Sequence, residues 1–326
     1  MAPSTSVVLA ALVANGAIAV MKFVGYLLTG SPAMLSEVYH SISDTGNQVF
    51  LLVGIKYGGK DASRSHPFGY GKAQFFYAFL VSVMLFGIAG WESAKHGWHA
   101  INHPEPVDAS SVLLPVVEVS IPSVWVNYTV LIGAVIFEAW AFAKAYKAIK
   151  KQMERNGWTT IAEAFKKTSD ITTLTALTED TIAMAGAGIA LVGVYLSRVT
   201  ENPIYDASSA FIIGLLLMGF AVALAWENKR LILGESLPKD AESPLRDTVA
   251  GWDGVQNVAD FRTVFFGPNR LVVTADVAFD ENMGTEEIDD VITAMERELK
   301  AEEPSVKTVY IEPQVVGAAE GVGLDG

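Results

Sequence analysis

Six stretches of this chain, at roughly 6–29, 33–57, 74–98, 125–147, 170–197 and 207–228, are long and apolar enough to cross a hydrocarbon layer. A helix needs about 20 mostly apolar residues to span roughly 30 Å of lipid. The pattern therefore predicts an all-α bundle of six transmembrane helices. Composition agrees, with 51% hydrophobic and 18% charged residues, where average globular chains are about one quarter charged. The first stretch lacks a basic leader region and runs directly into a second, so it is expected to be a span and not a cleavable signal.

The loops between the stretches set the expected orientation. The connection at 56–72 carries Lys56, Lys60, Arg64 and Lys72, and that at 144–167 carries Lys144, Lys147, Lys150, Lys151, Arg155, Lys166 and Lys167. Residues 96–143 contain no Lys or Arg, and the 198–206 turn has only Arg198. By the positive-inside rule both termini and the basic loops face the cytoplasm. The opposite connections are a tight turn at Ser31-Pro32 and a Pro-broken segment at about 99–124, expected to be extended at the outer surface.

After Glu235 the character changes. Residues 236–326 hold 19 Asp and Glu against 7 Lys and Arg, a net of −12, whereas residues 1–235 have a net of −1. Val258–Phe266 and Leu271–Phe279 read as strands joined by Gly267-Pro268-Asn269. Thr285–Leu299 reads as an amphipathic helix capped by Thr285, with Ile288, Val291, Ile292, Met295 and Leu299 at helical spacing. A short helix at 237–250 and a third strand at 306–311 complete the order helix–strand–strand–helix–strand. That order predicts a small cytoplasmic α+β domain, ferredoxin-like or metallochaperone-like. The expected domains are 1–235 and 236–313, with 314–326 a Gly/Ala-rich disordered tail. Such an acidic chain lacks the basic footprint of a nucleic-acid binder. Without cysteine, any bound metal must be held by imidazole, carboxylate or amide groups.

Charged side chains inside spans cost at least a few kcal/mol and are functional candidates for that reason. The second span offers His40 and Asp44, which share one helix face, and Asn47 continues the stripe. The fifth span offers Glu179 and Asp180. Imidazole and carboxylates from two helices suit Zn²⁺ or a similar divalent ion, although a His–Asp hydrogen bond holding two helices together would use the same residues. With several ionisable groups on two spans, the ion path is the reading taken. Adjacent Glu179 and Asp180 point about 100° apart on a regular helix, so one of them ligates while the other carries protons or partners His40. Lys22 in the first span either neutralises one of these groups or snorkels. Glu138 in the fourth span either lies on the path or is satisfied by a partner. His96, His99 and His103 follow Glu92 at helical spacing, as an outer metal site or as a polar helix end at headgroup level.

Three motifs then carry a resemblance: G-S-P-A-M-L-S-E-V-Y-H-S-I-S-D at 30–44, H-P-F-G-Y-G-K at 66–72 and V-Y-I-E-P at 309–313. From residue 10 to residue 313 the chain resembles the cation diffusion facilitators, which are divalent-metal/proton antiporters. The resemblance places His40 and Asp44 in the transport site, with Asp180 as one of two fifth-span ligands. The other position is Ala176, leaving Glu179, Asn47 or water as the fourth ligand. The E-D-T at 179–181 is similar to the subgroup containing the mitochondrial zinc transporters of animals and their bacterial relatives. A family loop site keeps His66 but has Tyr70 and Ser63 at its other positions. The family's cytoplasmic domain often binds zinc at a dimer interface through histidines, and no histidine follows His103. A homodimer through that domain is implied, without the zinc cluster.

The resulting expectation is a non-enzymatic efflux transporter in a lipid bilayer, the plasma or inner membrane of a prokaryote, working by alternating access. Zn²⁺ is the expected cargo because histidine favours it over Mg²⁺ or Ca²⁺, with Mn²⁺, Fe²⁺, Co²⁺ and Cd²⁺ open and protons as counter-ion. Metal and protons compete for the same ligands, which makes His40 the expected coupling group. The rival readings are an intramembrane metallohydrolase, which lacks an H-E-x-x-H, and a membrane metal sensor without flux.

Overall fold

The structure is a computed structural model that describes residues 5–104, 111–114, 119–161, 163–164 and 171–314. It divides into two units, Pro3–Leu52 with Ala78–Trp226, and Val53–Tyr77 with the chain from Glu227 onward. The long helices are α1 (Thr5–Thr29), α2 (Pro32–Gly58), α3 (Ala73–Asn102), α4 (Ser123–Asn156), α5 (Ile171–Thr200) and α6 (Ile204–Leu233). Five of them, all except α2, are long and apolar enough to cross a membrane. Among the described residues α2, the remaining one of the six expected spans, does not meet that criterion. The reason is in α2 itself, a 27-residue helix that carries Glu37, His40, Asp44 and Lys56.

The core of the first unit is built by Ala33 and Met34 of α2, Leu85 and Ala89 of α3, Leu131 of α4, Ala190 and Val194 of α5, and Ile213 and Leu217 of α6. Helices α3 and α6 cross backbone to backbone. A Cβ on Gly97 would strike Phe211 and Ala207, and one on Gly214 would strike Ala94, the small-residue packing that lipid-embedded helices favour. Within α3, Leu85–Gly90 forms a π-helical turn, which rephases the faces on either side of it. Val20 and Leu27 on α1, Ile136 and Trp140 on α4, Val192 on α5 and Val222 on α6 stay exposed. Faces of this composition suit lipid and not water.

The predicted extended segment pairs Ser111–Leu114 (β1) with Val119–Pro122 (β2) as an antiparallel ribbon. In the second unit, α7 (Lys239–Ala250), β3 (Val255–Gly267), β4 (Arg270–Phe279), α8 (Thr285–Glu302) and β5 (Val306–Gln314) follow the predicted order. The sheet order is β3-β4-β5, with β3/β4 antiparallel and β4/β5 parallel. Leu271, Val273, Ala275 and Val277 of the central strand are buried against Leu245, Val249, Met295 and Leu299 of the two helices. Asn269 takes the left-handed φ of 58° at the hairpin turn, as the Gly-Pro-Asn signal implied. The cap of α8 differs from expectation. Gly284 is the capping residue, and its N–H donates to the Glu287 carboxylate at 2.9 Å. Glu287 thus reaches back one turn, and the Thr285 hydroxyl is not used. Almost all of the expected tail, from residue 315 on, lies outside the described residues.

The loop between α2 and α3 belongs to this second unit. Phe68 packs on Phe266 at 4.7 Å between ring centroids, and Arg270 donates to the Phe68 carbonyl at 3.2 Å. Lys72 donates to the Ile232 carbonyl at 3.3 Å and lies over the Phe266 ring. Gly71 is packed so closely against Phe266 and Gly267 that a Cβ there would overlap their backbone. The three loop-site positions do converge, as a hydrogen-bonded turn. Ser63 bridges His66, Ser63 Oγ lies 3.2 Å from the Tyr70 hydroxyl, and the His66 ring stacks on Tyr70 at 4.2 Å.

Candidate metal centre

The 3.6-residue period of α2 aligns Glu37, His40, Asp44 and Asn47, spaced three, four and three apart, into one stripe. The sequence reading found the last three and missed Glu37, although the same spacing includes it. His40 is almost fully buried, and among the described residues neither ring nitrogen has a hydrogen-bond partner. Its Nδ1 lies 3.6 Å from Asp44 Oδ1, too far for a hydrogen bond. A buried imidazole without partners is costly unless something else satisfies it. Nitrogen and carboxylate oxygen at this separation are what a divalent ion of zinc type takes up.

Across from this stripe, α5 presents Glu179 and Asp180. Asn47 Nδ2 donates to Glu179 Oε1 at 2.9 Å, which fixes the Glu179 carboxylate toward α2. Asp180 is half-buried and is drawn into neither the His40–Asp44 nor the Asn47–Glu179 pair. Among the described residues no three His, Asp or Glu close around a single point. The predicted ligands thus form two pairs and a neighbour, consistent with the divergent directions of adjacent residues on a helix. Asn47 supports Glu179 through its hydrogen bond, the role of a partner that orients a ligand.

Lys22 is also resolved. Its ammonium is fully buried and pairs with Glu37 Oε2 at 2.7 Å, so it neither snorkels nor pairs with the fifth helix. Glu138 of α4 is half-buried. At the Pro32 end of α2, Asp206 of α6 accepts from Ser31 Oγ at 3.0 Å and from the Ala33 N–H at 3.1 Å. It therefore caps a neighbouring helix, a role the sequence did not announce.

Of the three histidines on α3, His99 and His103 are exposed and stack at 4.5 Å, while His96 is half-buried. All three border a cavity of about 660 Å³ that also takes in Ser31, Asn127 and Asp206. Among the described residues they form no three-ligand cluster, and two of the rings stack at the border of the cavity.

Comparison with known proteins adds identity to this geometry. Residues 8–233 match the cation efflux transmembrane domain, and residues 237–314 match the cation efflux protein cytoplasmic domain. The chain is 28% identical over 279 residues to the mouse mitochondrial proton-coupled zinc antiporter SLC30A9, covering 86% of this chain and 47% of that protein. It is 25% identical to metal tolerance protein C4 of Arabidopsis thaliana, covering 86% and 58%. It is 27% identical to the cation-efflux pump FieF of Cronobacter sakazakii, covering 81% and 77%. The chain spans about half the length of the antiporter relatives. The two matched domains together establish that this chain belongs to the cation efflux, or cation diffusion facilitator, family, whose members are transporters and not enzymes.

Proposed function

We propose that this chain exports Zn²⁺ in exchange for protons by alternating access, with His40, Asp44 and Asp180 as ligands and Glu179 as the fourth, held by Asn47. The observation that carries this reading is the buried His40 imidazole, with both nitrogens unpartnered, beside Asp44 on the polar stripe of a membrane-domain helix. Metal ligands must be deprotonated to bind, so a proton arriving at these groups displaces the ion and an arriving ion displaces protons. Histidine, which titrates near neutrality, makes that exchange possible at physiological pH. Imidazole favours zinc over magnesium and calcium, and the similar antiporters are named for zinc.

In this reading α2 is a sixth span whose polar residues face the bundle, and both termini lie in the cytoplasm of a prokaryotic inner membrane. Residues 1–235 conduct, and residues 236–313 pair two copies into a homodimer. The ion enters at the Gly58 end of α2 and leaves at the Pro32 end, past the cavity bordered by His96, His99 and His103.

The test is zinc-driven proton flux in liposomes containing the purified protein, run against a panel of Mn²⁺, Fe²⁺, Co²⁺ and Cd²⁺. Zinc is expected to give the fastest coupled flux, and Asp180→Ala to abolish it. Unchanged flux in that variant would remove Asp180 from the site. Zinc binding without proton movement would refute antiport.

A further inference from the structure

The Lys22–Glu37 pair is not accounted for by the site above. Both side chains are fully buried, and only one Glu37 oxygen is used. Glu37 Oε1 has no hydrogen-bond partner, and Gly186 of α5 faces it so closely that a Cβ there would lie 2.9 Å away. A buried ion pair is often no more stabilising than apolar side chains of the same size, so joining two helices leaves the free oxygen unexplained. Glu37 stands one turn from His40 on the same stripe of α2, toward Pro32. Asp44 stands on the same stripe of α2, two turns from Glu37 and beyond His40.

Resting on the transport reading, we propose that Lys22 is a tethered counter-cation that changes places with the transported ion, and that Glu37 is the next carboxylate on the ion's path. With no ion bound, the Lys22 ammonium neutralises Glu37. As the ion leaves His40 and Asp44 for Glu37, the ammonium leaves Glu37 for Asp44. Each carboxylate exchanges one cation for another. No proton or covalent bond changes hands, and no buried carboxylate is left unpaired during the step. The free Oε1 opposite Gly186 is the oxygen by which an ion can approach before Lys22 releases Oε2.

Two variants of the full chain test this, each measured for equilibrium zinc binding in detergent and for zinc-driven proton flux in liposomes. Lys22→Arg keeps the charge but offers a planar fork that grips both carboxylate oxygens. Zinc binding within threefold of wild type is expected, with turnover at least tenfold slower. The double variant Lys22→Met/Glu37→Gln removes both charges, folds without an uncompensated ion, and serves if the arginine variant does not fold. It is expected to bind zinc as wild type does and to turn over at least tenfold more slowly. Wild-type turnover in either variant would overturn the exchange, since a merely structural pair moves stability and not rate. Loss of zinc binding together with turnover would also overturn it, by assigning the pair to the His40 site. Absence of flux in the wild type would instead sink the transport reading itself.

Discussion

Asn47→Ala tests a residue that, in the proposed site, supports a ligand without binding the ion itself. Its amide donates to Glu179 Oε1 at 2.9 Å, a hydrogen bond to a charged acceptor, and such bonds contribute about 1.5–3 kcal/mol. At about 1.4 kcal/mol per tenfold change, losing that bond is worth roughly 10–150-fold in whatever equilibrium depends on it. Loss of partners that orient metal ligands costs a similar 10–100-fold in affinity. Asn47 is half-buried, so water can take over part of the bond and the fold should lose no more than about 1 kcal/mol. The expected result is a 10–100-fold rise in both the zinc Kd and the zinc KM for proton flux, with maximal turnover and thermal stability close to wild type. Glu179→Gln serves as the companion variant, because it keeps a hydrogen-bonding group in place and removes the charge. The reasoning fails if Asn47→Ala folds and keeps Kd and KM within twofold of wild type. It fails equally if the whole loss falls on turnover, since Asn47 would then act on movement and not on the site.

Two further expectations concern the second unit. Gly71→Ala places a methyl group against the backbone of Phe266 and Gly267, and overpacking of this kind costs about 1–3 kcal/mol. A lowered melting temperature and faster hydrogen exchange in residues 60–72 should follow, whereas Gly219→Ala, with open space around it, should do neither. Met295→Ala removes a fully buried side chain between α8 and the sheet. It should destabilise the domain by about 2–5 kcal/mol, measured by denaturant unfolding, and a change below about 1 kcal/mol would show that the core closes over the gap.

The long helices were legible because a hydropathy run is a local signal, and so was α8 from its apolar period. Local signals erred where a competitor lay next door. Thr285 is an ordinary capping residue, yet Glu287 reaches the Gly284 N–H and shifts the cap by one position. Strand β3 begins at Val255 and not Val258, because polar Gln256 and Asn257 pass as loop when read alone, yet Val255 and Asn257 pair with Phe279 and Ala278 of β4. The π-helical turn at Leu85–Gly90 has no breaker to announce it. In the site, the spacing of His40, Asp44 and Asn47 was readable, whereas the division of labour between Glu179 and Asp180 was not. That division depends on an amide 132 residues away in sequence. Lys22 was recognised as a buried charge, but its partner came from the second helix and not the fifth. Asp206 was passed over because a carboxylate near a helix start looks like an ordinary first-turn residue. Only the three-dimensional contact shows that it caps α2.

The one long helix that fails the apolar test is also the one that carries the candidate site, and the two facts have a single cause. An Asp or Lys at the centre of a membrane helix costs about 2.5–3.5 kcal/mol on insertion scales. Helix α2 carries Glu37 and Asp44 along with His40, and α1 carries Lys22. Taken alone, neither α1 nor α2 could hold its charges in lipid at low cost. Together they join Lys22 to Glu37 at 2.7 Å, and α5 then engages the polar stripe of α2 through Glu179. Helix α2 is therefore held in the bundle by polar partners as well as by the apolar packing of Ala33 and Met34. A helix held in this way can change its contacts when the cations around it are exchanged, which a span secured by apolar surface alone would have no reason to do.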